Sequence, residues 1–210
     1  MSRTVVYLLR HGEVDNPHRI LYGRLPDFHL SAAGRAMAVR AAASLAGRDV
    51  TYLVSSPLER ARETAASLAT TFGLDVDVDA RLIESANAFQ GKRFALGAGG
   101  ALRDPRSWWL LRDPRRPSWG EPYDDIARRV LAGVASARQT ARGHEAVCIS
   151  HQLPIYVARL ALQGHRLWHN PRSRQCGLAS ITSFSYEDDE LVAIGYAEPA
   201  GPTPGSVPGG

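Results

Sequence analysis

Histidine and arginine recur where strand-like runs end in this chain. Val5-Val6-Tyr7-Leu8-Leu9 runs straight into Arg10-His11-Gly12-Glu13, and Ala146-Val147-Cys148-Ile149-Ser150 into His151. A third run, Val50-Thr51-Tyr52-Leu53-Val54, gives way to Ser55-Ser56-Pro57-Leu58-Glu59-Arg60. Guanidinium forks suit phosphate and carboxylate groups, and a neutral imidazole is a nucleophile or base. Taken singly, each residue has an ordinary reading: Arg10 a solvated strand-end charge, His11 a satisfied turn histidine, Arg60 a helix arginine paired with Glu59 or Glu63. Glu84, after Arg81-Leu82-Ile83, reads alone as a surface carboxylate.

The elements that would carry these residues alternate. After the first strand, a loop rich in Asn, Pro, His, Arg and Gly spans Val14 to Leu30; at that length it is more often functional than passive. Ser31 caps a helix to Ala46, with Met37, Ala41 and Leu45 facing inward and Gly47 beyond its end. After the second strand, the spacing predicts Ser56 as N-cap, Pro57 in the first helical position and Glu59 completing a capping box, with the helix ending near Gly73. Asp75-Val76-Asp77-Val78-Asp79 alternates with period two and reads as a short edge strand. Pro122 opens a third helix with Ile126, Val130 and Val134 inward. Ser150 is placed to cap a fourth, Gln152 to Gln163. Leu178–Phe184 and Leu191–Tyr196 form a hairpin across Glu187-Asp188-Asp189.

This order predicts a three-layer α/β/α fold with a largely parallel central sheet, right-handed crossovers and an antiparallel edge strand. One domain spans 1–198. Within it, an irregular insertion of about 85–120 covers the site, with Trp108, Trp109 and Trp119 as a satellite core or an apolar pocket wall. The Pro/Gly-rich residues 199–210 read as a disordered tail. Parallel strands place their carboxyl ends side by side, so Arg10, His11, Arg60 and His151 meet at one edge of the sheet, where such folds keep their ligand crevice. Two forks and two imidazoles would repel one another across an empty crevice, and a dianionic phosphate relieves that repulsion.

Composition narrows the classes. With 210 residues, 44% hydrophobic and 22% charged, the chain has the make-up of an ordinary globular domain. No apolar run approaches a membrane span and no signal-peptide core follows Met1-Ser2-Arg3, which predicts a cytoplasmic protein without membrane association. Cys148 and Cys176 lack CxxC spacing and read as buried small hydrophobes. The net charge of +4 is modest, and the arginines between Arg93 and Arg116 are interrupted by acids and prolines. A solvated face is the expectation there, with no nucleic-acid partner. His165 and His169 lack a third ligand nearby, so no metal site is expected.

Four motifs in order resemble the histidine phosphatase superfamily, which includes the cofactor-dependent phosphoglycerate mutases. Arg10-His11-Gly12-Glu13 is similar to its signature and the run from Ser55 to Ala65 to its second motif. Leu82-Ile83-Glu84 is similar to its acid-bearing segment, and Ser150-His151 to its second histidine; together they cover roughly Val5 to Ile194. The resemblance implies His11 as phosphorus nucleophile, Glu84 as acid and base, and Arg10, Arg60 and His151 on the phosphate oxygens. It implies Asn16 and Gly23 as substrate-binding loop residues, Asn16 lying one residue nearer the histidine than in the mutases. It also implies no cofactor and a small phosphorylated substrate. Ser85-Ala86-Asn87 replaces the Arg-His-Tyr-like run of the mutases, and Gly120-Glu121 is closer to the phosphatase branch, whereas Arg115-Arg116-Pro117 echoes a mutase arginine pair. The expectation is therefore a phosphomonoesterase. A mutase-type phosphoryl transferase and a catalytically silent phosphate-ligand or phosphoprotein binder are the alternatives. An exposed strand in the last hairpin would allow a homodimer.

Overall fold

A computed structural model describes residues 2–93 and 120–202. Most of the expected insertion, with its three tryptophans and Arg115-Arg116, and most of the tail lie outside the described residues. A six-stranded sheet, in the order β3-β2-β4-β1-β5-β6, organises the rest. Its strands are β1 (Arg3–Arg10), β2 (Val50–Ser55), β3 (Val76–Val78), β4 (Glu145–Ser150), β5 (Ile181–Glu187) and β6 (Glu190–Ala197). Helices α1 (Ala32–Leu45), α2 (Glu59–Phe72), α3 (Tyr123–Thr140) and α4 (Gln152–Leu162) flank it. β3, β2, β4 and β1 are parallel; β5 runs antiparallel to β1, and β6 closes that edge by pairing antiparallel with β5. This is the expected three-layer architecture with a mostly parallel sheet.

β1 is buried on both faces because it lies between β4 and β5 and under helices on each side. Side chains alternate along a strand, so Val5, Tyr7 and Leu9 enter one core and Val6 and Leu8 the other. The first core is closed by Ala41, Ala42 and Leu45 of α1 and Ala61, Ala65 and Leu68 of α2. The second is closed by Ile126, Val130 and Val134 of α3 and Ile155 and Val157 of α4. Each fully buried aliphatic side chain contributes about 1.5–3 kcal/mol relative to exposure. The two-sided burial therefore fixes β1 more firmly than either edge strand, and it is β1 that carries Arg10.

Parallel register sets the level of the site. Arg10 lies opposite Ser150, and Ser55 opposite Ile149. Backbone bonds continue past the strand ends: His11 N–H donates to Ser150 O at 3.2 Å and Ser56 N–H to Ile149 O at 2.9 Å. His11, Ser56 and His151 thus leave the sheet at one height. The glycine after His11 is a matter of close approach. A Cβ at Gly12 would lie 2.4 Å from the Gly34 carbonyl oxygen, and one at Gly34 would lie 2.0 Å from that of Glu13. Two glycines therefore let α1 rest directly on the backbone behind His11, while Ser31 caps the helix as expected, its Oγ accepting from Gly34 N–H at 3.0 Å.

Two expected caps are corrected. α2 begins at Glu59 with Leu58 as N-cap and no side-chain bond, and Glu59 Oε2 lacks a partner, so no capping box forms. The Ser56 hydroxyl is drawn to His151 Nε2 at 2.7 Å and keeps only a 3.4 Å contact with Leu58 N–H. Ser150 does not cap α4 either: its Oγ donates to Leu82 O at 2.7 Å, tying the segment before Glu84 to the end of β4, and His151 occupies the N-cap.

Candidate active site

The residues expected from the strand ends converge. His11, Arg60 and His151 are fully buried and Arg10 is 1% exposed. The two imidazole rings stand 5.1 Å apart between centroids, tilted by 59°. His11 Nδ1 lies 2.8 Å from the carbonyl of Gly12. A carbonyl only accepts, so Nδ1 carries the proton and Nε2 carries the lone pair. Nε2 is buried and has no partner. Burial first, then the charges of Arg60 and Arg10, holds the His11 pKa well below its ordinary value. Burial and then Arg60, His11 and Arg10 do the same to His151. Both rings are neutral at pH 7, and His11 has the form a nucleophile needs.

The arginines are held from behind. Arg10 donates through one terminal nitrogen to Cys176 O at 2.8 Å. Arg60 donates through Nη2 to Gly23 O at 2.6 Å and lies over the Tyr22 ring, Cζ 4.7 Å from its centroid. Its Nε and Nη1 are buried without partners, as is His151 Nδ1. Buried orphan donors cost about 1–3 kcal/mol each. Those of Arg60, on the crevice side of the sheet, have the geometry and charge to take phosphate oxygens.

Glu84 lines a cleft of about 100 Å³, together with Gly23, Asn87, Gln152 and Arg174 among others. One of its oxygens accepts from Ser85 N–H at 2.7 Å. The segment carrying it is clamped by two arginines from different places in the chain. Arg129 on α3 donates to the carbonyls of Arg81 at 2.6 Å and Ile83 at 2.7 Å, and Arg24 donates to that of Glu84 at 2.6 Å. Glu121 joins the two arginines, at 2.7 Å from Arg129 and 2.8 Å from Arg24. Sequence reasoning missed Arg24, Arg129, the clamping role of Glu121, and Ser56 as a partner of His151. Arg24 lies 60 residues from Glu84 and Arg129 lies 45 away, so no local pattern announces them.

The cleft reaches Glu84 and Gly23 but not the histidines. The loop residues Tyr22 and Gly23 explain this, since both lie on Arg60. Gly23 has φ +44°, and a Cβ there would lie 2.2 Å from Gln90 Oε1, which itself accepts from Arg24 N–H. Glycine suits the left-handed turn that brings its carbonyl to Arg60, where a side chain would be strained and would displace the Gln90 amide. Asn16 is not brought to the cleft: its amide closes the loop on itself, donating to Ile20 O at 2.8 Å and accepting from Ile20 N–H at 3.1 Å. Of the two histidines weighed as a metal pair, His169 instead accepts from Arg174 Nε at 2.8 Å. Among the described residues no group of three or more His, Cys, Asp and Glu could hold a metal ion, and no helix is long and apolar enough to cross a membrane.

Comparison with known proteins gives the same family on independent grounds. The uncharacterized protein Rv0525 of Mycobacterium tuberculosis is 56% identical over 199 residues, covering 95% of this chain and 98% of that protein. A probable phosphoglycerate mutase, GpmB of Salmonella arizonae, is 29% identical over 91% of this chain and 89% of its own. Among solved structures, the mycobacterial glucosyl-3-phosphoglycerate phosphatase Rv2419c superposes with a TM-score of 0.73 at 30% identity, covering 92% of this chain and 97% of that one. The family model described as histidine phosphatase superfamily (branch 1) matches residues 6–198. With its paired buried histidines at adjacent strand ends, this chain belongs to branch 1 of the histidine phosphatase superfamily.

Proposed function

We propose that the protein is a phosphomonoesterase acting on small phosphorylated metabolites through a phosphohistidine at His11. The observation that carries this is the state of His11: proton on Nδ1 held by the Gly12 carbonyl, lone pair on a buried Nε2 without a partner, and a depressed pKa. Nε2 attacks phosphorus in line as the ester oxygen departs, and Glu84 protonates that oxygen. Arg10, Arg60 and His151 hold the equatorial oxygens, where the charge of a loose transition state is spread. Glu84, now a carboxylate, takes a proton from the water that attacks the phosphohistidine, releasing inorganic phosphate and restoring His11. Two guanidinium groups supply the charge neutralisation, so the reaction calls for no metal. Arg60 offers the phosphate its unpartnered Nε and Nη1 while Nη2 stays on the Gly23 carbonyl.

A phosphoryl-transfer reading is supported by the likeness to the probable phosphoglycerate mutase and by the sequence echo at Arg115-Arg116-Pro117. Hydrolysis is favoured by Ser85-Ala86-Asn87 at the cleft, small and uncharged where the mutases carry an Arg-His-Tyr-like run. Sustained release of inorganic phosphate from para-nitrophenyl phosphate without added metal, lost in His11→Ala, is the expected result. Stoichiometric transfer between phosphoglycerates with negligible hydrolysis would establish the mutase instead. Phosphate-ester binding retained in His11→Ala, with no turnover in either protein, would establish a silent binding module.

A further inference from the structure

Two side chains on the cleft wall carry bonding capacity that the reaction above does not use. Arg174 lines the same cleft as Glu84 and is half-buried. Its Nε–H donates to His169 Nε2 at 2.8 Å, and it hydrogen-bonds the Tyr123 side chain. His169 is fixed as an acceptor because its Nδ1–H donates to Leu167 O at 2.6 Å. The rings of Tyr123 and Tyr156 flank that imidazole at 5.4 and 4.8 Å between centroids. Burial holds His169 below its ordinary pKa, so this frame is neutral. Arg24 and Arg129 share Glu121, whereas among the described residues no carboxylate lies within ion-pair distance of Arg174. Burial lowers the Arg174 pKa and the charge of Glu84 on the same cleft offsets this only in part, so an anionic ligand group would offset the remaining desolvation cost.

Gln152 stands on the same cleft and is 6% exposed. Its Nε2–H faces the Cys176 carbonyl at 3.4 Å, which sets the orientation of the amide and leaves Oε1 buried with no partner. That oxygen calls for a donor, as Arg174 calls for an acceptor.

We propose that Arg174 and Gln152 form the leaving-group subsite, and that the substrate is a phosphomonoester whose alcohol carries a carboxylate for Arg174 and a neighbouring hydroxyl or ammonium for Gln152. This rests on the phosphatase reading of the same site. The arginine fork matches a carboxylate in two bonds, and the neutral histidine behind it keeps the fork aimed without quenching its charge. A cleft of about 100 Å³ is large enough for a short hydroxy or amino acid.

The test compares O-phospho-L-serine with phosphoethanolamine, which lacks only the carboxylate, alongside para-nitrophenyl phosphate. The expected wild-type preference in kcat/KM for phosphoserine over phosphoethanolamine is about tenfold or more. Arg174→Met is expected to bring that ratio near one and Arg174→Lys to keep part of it. A wild-type ratio near one with para-nitrophenyl phosphate still hydrolysed, or an Arg174→Met that keeps the wild-type ratio, would overturn the subsite and leave the phosphatase reading standing. No wild-type turnover of any of these esters would overturn both. The wild-type ratio needs no variant, and Gln152→Leu gives a second reading should Arg174→Met not fold. Gln152→Leu is expected to lower kcat/KM for phosphoserine more than for para-nitrophenyl phosphate, equal losses counting against the subsite.

Discussion

A histidine buried beside two arginines must stay neutral to remain buried, and this chain holds two of them. That makes pH a handle on the site. The unfolded chain takes up a proton on each histidine as pH falls through about 6.5, while the folded chain resists because burial and the arginines depress both pKa values. The unfolded state then binds more protons, so the stability contributed by the two neutral imidazoles is full above pH 6.5 and declines below it. The decline approaches roughly 1.4 kcal/mol per pH unit for each histidine in that window. Urea midpoints measured from pH 7.5 to 5.5 should fall accordingly, and His11→Asn should show a shallower slope. A flat profile in the wild type would mean that both rings are protonated in the folded protein. His11 and His151 were legible as chemistry because each ends a buried strand. The direction of their protons was not, since it depends on the Gly12 carbonyl and on Ser56 turning away from its helix.

At the scale of elements, helix α3 does more than cover the sheet. Arg129 reaches from it to two carbonyls of the segment before Glu84 and to both oxygens of Glu121. Arg129→Met removes donors from half-buried acceptors and strands part of the Glu121 charge. A stability loss of about 2–3 kcal/mol is expected, read from the thermal or urea midpoint. Because Arg129 positions Glu84 rather than touching substrate, kcat should fall more for an alkyl phosphate, whose leaving alkoxide needs a proton, than for para-nitrophenyl phosphate. Equal losses on both would assign Arg129 a structural role alone. The strands, their order along the chain and the inward faces of α1 and α3 were readable from apolar periodicity, Ser31 and Gly73. The failures came at Ser56 and Ser150. Both are good capping residues by local rule, and in each case a tertiary partner, His151 or the Leu82 carbonyl, took the hydroxyl.

Across the whole molecule, parallel register turns separate motifs into one site. Arg10 level with Ser150, and Ser55 level with Ile149, bring residues 140 positions apart to one edge. Alternation of strands and helices made the convergence of Arg10, His11, Arg60 and His151 predictable, because parallel strands share a carboxyl edge. Asn16 was placed by resemblance rather than by physics, and its loop folds on itself through Ile20. The Arg24–Glu121–Arg129 clamp was illegible because it joins a loop and a helix that only the closed fold brings together, and the Arg174–His169 pair, although local, falls in a loop with no periodic pattern to announce it. The account as a whole stands on one atom, His11 Nε2. Rapid acid-free quenching of the full chain with a phosphorus-labelled monoester tests it most directly. The expected result is label approaching one phosphate per chain, labile in acid and stable in base, located at His11 and absent from His11→Ala. Steady hydrolysis with no trapped phosphohistidine, or label on any other residue, would contradict it.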